Sequence, residues 1–264
     1  MSEPVPVSDP SDLDFTGRVV LVTGGARGVG RGICRAFAAR GATVVICGRS
    51  EPPVDSLPER TEFIGCDVRE AEAVSALVDA VVDRHGRLDV AVNNAGGAPY
   101  AVAATASPRF HISIITLNLI AALHVAQRAN SVMQAQTDGG NIINVASVSG
   151  MRPSPGTAAY GAAKAGIISL TQTLAVEWAP KVRVNCVTLG LVRTEQAHLH
   201  YGDEAGIAAI GQTIPLGHIA DPEEAAGPFL FLASPLARYV TGANLVAHGG
   251  GERPAFLSAA NVSH

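Results

Sequence analysis

RVVLVTGGARGVG, residues 18–30, decides how this chain folds. Its first six residues are an almost unbroken aliphatic run, the composition of a strand buried on both faces rather than of one with a wet side. Gly24, Gly28 and Gly30 then crowd a tight turn, and helical spacing resumes over 28–40. Working outward, the alternation continues. Strands are predicted at 18–23, 43–47, 61–67, 88–94, 141–147, 182–188 and 244–248, with helices at 28–40, 70–84, 109–136, 157–179 and 222–233. Such alternation implies an α/β fold: one doubly wound parallel sheet of about seven strands with helices on both faces, in a single domain.

The 264-residue length suits one such unit with a sizeable core. A formal net charge of −4 leaves no electrostatic footprint for nucleic acid. Cys34, Cys47, Cys66 and Cys186 lack metal-ligand spacing and mostly fall in apolar runs. They read as buried thiols of a reducing, cytoplasmic compartment. Residues 1–16 carry acid and proline with neither a basic start nor an apolar run, the pattern of a flexible arm rather than a secretory signal, before a domain at 17–264. The most apolar long stretch, 112–126, is interrupted by Asn118 and His124 and reads as a buried helix too short to span a membrane. The irregular stretch 189–221 reads as a substrate lid.

Parallel sheets bind ligands beyond the carboxyl ends of their strands, where strand order reverses. The glycine turn lets backbone approach a pyrophosphate, and the helix after it offers amide donors and a positive dipole end. The segment after the second strand, Ile46-Cys47-Gly48-Arg49-Ser50, lacks the carboxylate that usually holds the ribose hydroxyls of NAD. Arg49, with Arg27 inside the turn, offers cations for a 2′-phosphate, so NADP(H) is expected over NAD(H); two solvated arginines are the other reading. Farther along, YGAAK (160–164) places Tyr160 and Lys164 one helical turn apart, with Ser147 thirteen residues upstream at a strand end. An ammonium beside a phenol should pull its pKa down from about 10 toward the range useful for proton exchange. Lys164 and Lys181 are the only lysines in a chain otherwise rich in arginine. A solvated Tyr–Lys pair on an amphipathic helix has the same spacing.

In order, the glycine turn, NNAG at 93–96, Ser147 and the Tyr160/Lys164 pair resemble the short-chain dehydrogenase/reductase family, over nearly everything after the arm. The resemblance implies a Rossmann-type fold and hydrogen transfer between the B face of a nicotinamide and a carbonyl or carbinol carbon. It implies a catalytic set of Asn118, Ser147, Tyr160 and Lys164. Tyr160 would be the general acid/base and Ser147 the partner of the substrate oxygen. Lys164 would bind the nicotinamide ribose and lower the Tyr160 pKa, while Asn118 supports a water chain to Lys164. Asp67 and Val68 would meet adenine, and Asn94, Ala95 and Gly96 would support the central strand and ribose. Val29 joins the turn, and Gly190, Val192 and Thr194 would face the nicotinamide. Ser147, Ser149, Tyr160, Leu189 and Leu191 would line the substrate side. A homotetramer or homodimer is implied too, packed through the small residues of 158–166. Two positions depart from the family: Leu189-Gly190 replaces Pro-Gly, losing proline's fixed φ, and His248 stands where an acid is usual.

The segment 195–226 holds Glu195, Asp203, Glu204, Asp221, Glu223 and Glu224 with no lysine or arginine, so an acidic carrier protein should be repelled. Met151, Leu189, Leu191, Leu199, Tyr201, Ile207 and Ile210 are expected to line an apolar cleft. The expected substrate is a small molecule, a neutral or apolar secondary alcohol or ketone of steroid-like or polycyclic kind. A β-ketoacyl thioester is the alternative. Outside catalysis, the same fold would serve as an NADP(H) sensor or a docking subunit.

Overall fold

The structure, a computed structural model, describes residues 10–53 and 57–259. Among them, β1 (Val19–Thr23), β2 (Thr43–Gly48), β3 (Thr61–Gly65), β4 (Val90–Asn93), β5 (Gly140–Ser147), β6 (Val182–Leu189) and β7 (Asn244–Ala247) form one sheet. Its order is β3-β2-β1-β4-β5-β6-β7, every pair parallel. The helices are α1 (Gly28–Ala38), α2 (Ala71–His85), α3 (Pro108–Ile115), α4 (Ala121–Ala135), α5 (Ala158–Trp178), α6 (His198–Tyr201), α7 (Glu204–Gly211), α8 (Gly227–Ala233) and α9 (Ala255–Ala259).

Side-chain alternation divides each strand between two cores. Val19 and Leu21 of β1 pack on the side of α2, α4 and α5, whereas Val20 and Val22 pack with Ile33 and Phe37 of α1 and Phe229 of α8. Both sets are buried, which is why the strands read as apolar runs without a polar face. From β1 the chain winds outward through β2 and β3, then returns to build β4 to β7 on the other edge. That reversal opens a crevice past the carboxyl ends of β1 and β4.

Several elements differ from expectation. Residues 1–9 of the expected arm lie outside the described residues, and the part next to β1 is no arm. Phe15 is buried edge-on against Phe37 with ring centroids 4.9 Å apart, and its amide donates to the Arg40 carbonyl at 2.8 Å. Burying such a ring gains about 2 kcal/mol, enough to hold a short segment on the core. Strand 88–94 shortens to β4: at its start the Gln136 side chain takes both backbone groups of Leu88, at 2.8 and 3.0 Å, and at its end the Asn94 amide turns to the Thr23 hydroxyl at 3.0 Å.

The expected helix 109–136 is one continuous run, but α3 and α4 are joined by a π-helical turn, Thr116–Ile120. The run Pro108–Ala135 has 28 residues, long and apolar enough to cross a membrane by length and composition. This overturns the reading of it as too short, which rested on 112–126 alone. Only 33% of its most apolar window is buried, so it is a partly exposed helix whose α4 half packs through Val125, Ala129 and Met133. The lid is not irregular: α6 and α7 sit in it around a small core of Ala197, Ile207, Ile214 and Ile219. All four cysteines are buried free thiols, as expected.

Candidate active site

Ser147 is the last residue of β5, paired in register with Leu189 of β6. Its hydroxyl accepts from the Ser149 amide at 3.2 Å and stands near enough to the phenol of Tyr160 to lower its pKa. Tyr160 lies in the first turn of α5, and Lys164 one turn on is buried under it, with Nζ 5.5 Å from the ring centroid. Spacing thus brings phenol and ammonium together as expected, but the expected pKa effect does not follow. Burial pushes the Tyr160 phenol above its ordinary 10, and the opposing pull comes from the Ser147 hydroxyl rather than from Lys164. The ammonium is itself committed, donating to the Val145 carbonyl at 2.7 Å. Desolvation lowers Lys164 from 10.5 to about 8, because no carboxylate stands beside it to favour the charge.

That displacement has a measurable sign. The folded chain gives up the Lys164 proton near 8, the unfolded chain only near 10.5. Stability linked to this group is therefore complete above 10.5 and lost as pH falls through 8. In urea unfolding, the stability of the wild type relative to Lys164→Met should rise between pH 8 and 10.5. A flat difference would mean the ammonium is solvated.

Asn118 occupies the π turn, a distortion that often marks functional sites. Its Oδ1 accepts from the Gly97 amide at 2.8 Å, and its Nδ2 donates to the Gly97 and Ile114 carbonyls, both at 2.9 Å. Gly96 lies between it and Lys164: a Cβ there would sit 2.6 Å from Asn118 Oδ1 and 3.5 Å from Lys164 Nζ. Asn118, Gly96, Lys164, Tyr160 and Ser147 therefore form one cluster.

The glycine turn adjoins it. Gly28 has φ +52 and opens α1, while a Cβ on Gly30 would meet the Gly24 carbonyl oxygen at 2.4 Å. Asn94 ties turn to sheet, its Nδ2 donating to the Thr23 and Gly24 carbonyls at 2.9 and 3.1 Å. The amides of Asn94 and Ala95 both donate to the Thr23 hydroxyl, at 3.0 and 2.9 Å. Arg27 and Arg49 are exposed, whereas Val29 packs on the core and Val68 is buried in it. Asp67 has its carboxylate taken by Arg69, with Nε at 2.9 Å, which holds the acid down at about 2; the Arg49 charge adds to this. The Thr194 side chain lies against Gly28, and Val192 bridges to Ala220. The Gly190 amide donates to the Ala247 carbonyl at 2.9 Å, beneath His248.

Beside Ser147 a cleft of about 370 Å³ is lined by Val148, Met151, Leu191, Ile214, Arg152 and His248, among others. Leu191 and Met151 face it as expected. Leu189 does not: it is buried in the core on the α1 side, since its β6 position puts it on the opposite face of the strand. Tyr201, Ile207 and Ile210 belong to the lid's own small core, and Leu199 is exposed. Ser149 lies on the neighbouring face against α5, where its hydroxyl accepts from Ser154 at 3.1 Å. The lid acids are also less repulsive than their count suggests. Glu195 pairs with Arg31, Glu204 with Arg193, Glu223 with Arg35 and Glu224 with His218. Cations from outside 195–226 supply three of these pairs, which weakens the electrostatic case against an acidic carrier.

Sequence reading passes over Thr23 and Arg69 and takes Glu195 only as one of the lid acids, without its place at the glycine turn. Arg69 carries a local signal, because Asp67 accepts from its amide two residues on at 3.1 Å, a turn that Asp favours. Thr23 and Glu195 carry none, since their partners are distant in sequence.

The family model described as enoyl-(acyl carrier protein) reductase matches residues 24–252. A short-chain type dehydrogenase/reductase of Sinorhizobium fredii is 40% identical over 89% of this chain, which spans 43% of that relative's length. The 3-oxoacyl-(acyl-carrier-protein) reductase FabG of Thermotoga maritima is 36% identical over 90% of this chain and 99% of its own. Among solved structures, the ligand-free aldohexose dehydrogenase of Thermoplasma acidophilum matches with a TM-score of 0.85 and 31% identity, over 96% of this chain and 98% of that one.

Proposed function

The chain belongs to the short-chain dehydrogenase/reductase family of nicotinamide-dependent oxidoreductases, and from that premise we propose that it interconverts a secondary alcohol and a ketone with NADP(H). The observation that carries this reading is the cluster of Ser147, Tyr160 and buried Lys164 at the strand ends beside the glycine turn. The turn fits a dinucleotide: its glycines leave no side chain between backbone and ligand, and the Gly28 amide already holds a carboxylate as a stand-in anion. When bound, the nicotinamide supplies two-electron redox capacity; the protein's own part is the proton and the oxygen.

In reduction, the Tyr160 phenol donates its proton to the substrate oxygen as charge builds there, and the Ser147 hydroxyl stabilises that oxygen. A phenol held above its ordinary pKa by burial stays protonated at neutral pH, ready to donate. The Lys164 ammonium then stabilises the phenolate left behind, and in oxidation the same proton returns to Tyr160. Asn118 and Gly96 hold the pocket that keeps Lys164 in place.

For the cofactor, β2 ends without a carboxylate, and Arg49 stands exposed close enough to act on Asp67. Its guanidinium suits a 2′-phosphate. Arg49→Ala should raise KM for NADPH about tenfold, the weight of a charge-assisted hydrogen bond, and leave NADH kinetics alone. Steady-state rates with each cofactor over a panel of ketones test this; wild-type preference for NADH would sink the NADP(H) assignment.

Apolar Val148, Met151, Leu191 and Ile214 around the cleft favour a neutral or largely apolar alcohol or ketone. A β-ketoacyl thioester is the second reading, favoured by pairing of the lid acids and by the 36% identical 3-oxoacyl reductase. The panel separates the two.

A further inference from the structure

Gly28 opens α1, and its amide points out of the helix N-terminus at one side chain. It donates to Glu195 Oε2 at 3.0 Å and, more weakly, to Oε1 at 3.4 Å. Arg31, one turn into α1, closes on the same carboxylate with Nη2 2.5 Å from Oε1. Thr194 is packed against Gly28 beside it, so that a Cβ on the glycine would lie 3.1 Å from the threonine methyl. The chain leaving β6 thus crosses the mouth of the glycine turn and lays a negative charge on the positive end of the α1 dipole. Glu195 differs here from the other acids of its segment: Glu204, Glu223 and Glu224 are paired with Arg193, Arg35 and His218. None of those ion pairs involves the glycine turn.

A dinucleotide pyrophosphate needs the same donors, since a helix N-terminus following a glycine turn is where such a group binds. One amide and one guanidinium cannot serve both anions, and two negative charges a few ångströms apart repel. We propose that Glu195 sets the enzyme's affinity for its cofactor by occupying the pyrophosphate seat, on Gly28 and Arg31, until the dinucleotide displaces it. The inference rests on the reading of the glycine turn as the cofactor cradle. Binding then selects the fraction of molecules in which Glu195 has swung out, and the apparent dissociation constant is raised by the inverse of that fraction. Arg31, released by Glu195, becomes a second cation for the phosphates. The same contact has an opposite consequence for the protein alone. It ties the lid segment to α1 across the crevice, so the carboxylate that weakens cofactor binding also stabilises the cofactor-free fold.

Titration of intact wild-type protein and Glu195→Gln with NADPH, NADH and adenosine 2′-monophosphate tests this by fluorescence or calorimetry. Glutamine keeps the size and removes the charge. Both dinucleotides should bind the variant about tenfold more tightly, the weight of a carboxylate on a helix N-terminus. Adenosine 2′-monophosphate, which has no pyrophosphate, should bind both proteins equally, and the ligand-free Tm of the variant should be lower. A purely structural Glu195 would lower Tm without tightening binding. Equal or weaker dinucleotide binding by the variant overturns the proposal, as does equal tightening of the monophosphate. Wild-type protein that binds neither dinucleotide would instead fail the cofactor reading itself, and this inference with it.

Discussion

Tyr160→Phe should lower kcat by about a thousandfold in either direction while the dissociation constant for NADPH changes less than about twofold. The substitution removes one oxygen from a half-buried ring and leaves the glycine turn, Arg49 and Lys164 in place. The lost oxygen is the proton donor of the proposed reaction, and the Ser147 hydroxyl near it is a far weaker acid. The wild type adds a pH signature. Burial holds the phenol above its ordinary 10, so reduction should run level through neutral pH and change where Lys164 loses its proton near 8, while oxidation, which needs the ionised form, accelerates as pH rises. Stopped-flow and steady-state absorbance of the reduced nicotinamide measure both. Retained turnover in the phenylalanine variant would remove Tyr160 from the chemistry.

Gly30→Ala should be nearly as damaging, through the backbone rather than through a reacting group. Its new methyl would be placed 2.4 Å from the Gly24 carbonyl oxygen and 2.5 Å from Asn94 Nδ2. Neither can retreat: Asn94 Nδ2 is bonded to the Thr23 and Gly24 carbonyls, and Gly24 is anchored to Cys47 by a 2.9 Å backbone bond. Overpacking of this kind costs about 1–3 kcal/mol, roughly 2–4 °C of Tm for each kcal/mol in a chain this size. On the proposed reading of the turn as the dinucleotide's seat, the same strain opens that seat, so NADPH affinity should fall by about a hundredfold, well beyond the stability loss. Unchanged affinity in a folded variant would mean that the turn does not hold the cofactor. Together with the tightening expected from Glu195→Gln, the two variants move affinity in opposite directions from neighbouring residues of one seat.

The strands and helices were legible because their signals are local. A parallel strand buried on both faces must be apolar throughout, and β1, β2, β5 and β6 lie close to where their Val- and Ile-rich runs predict. Helical periodicity placed α1, α2 and α5 equally well. Boundaries slipped where a remote side chain intervened, as Gln136 does at Leu88. The lid helices escaped notice because four and eight residues carry too little periodicity to stand out. Leu189 was placed on the wrong side because its strand face depends on how β6 registers with β5 and β7.

The chain's own order of residues determined the α/β alternation, the glycine turn before α1 and the one-turn spacing of Tyr160 and Lys164, since each follows from backbone preference and periodicity within a few residues. Tertiary structure alone decided what those residues feel. Packing shields the Tyr160 phenol and buries Lys164, and desolvation raises the pKa of the first and lowers that of the second. It also carried Glu195 onto Gly28, 167 residues away in sequence, and supplied Arg31 to hold it there. Burial and through-space charge pairing arise between segments distant in the chain, and they come into being only when the sheet assembles.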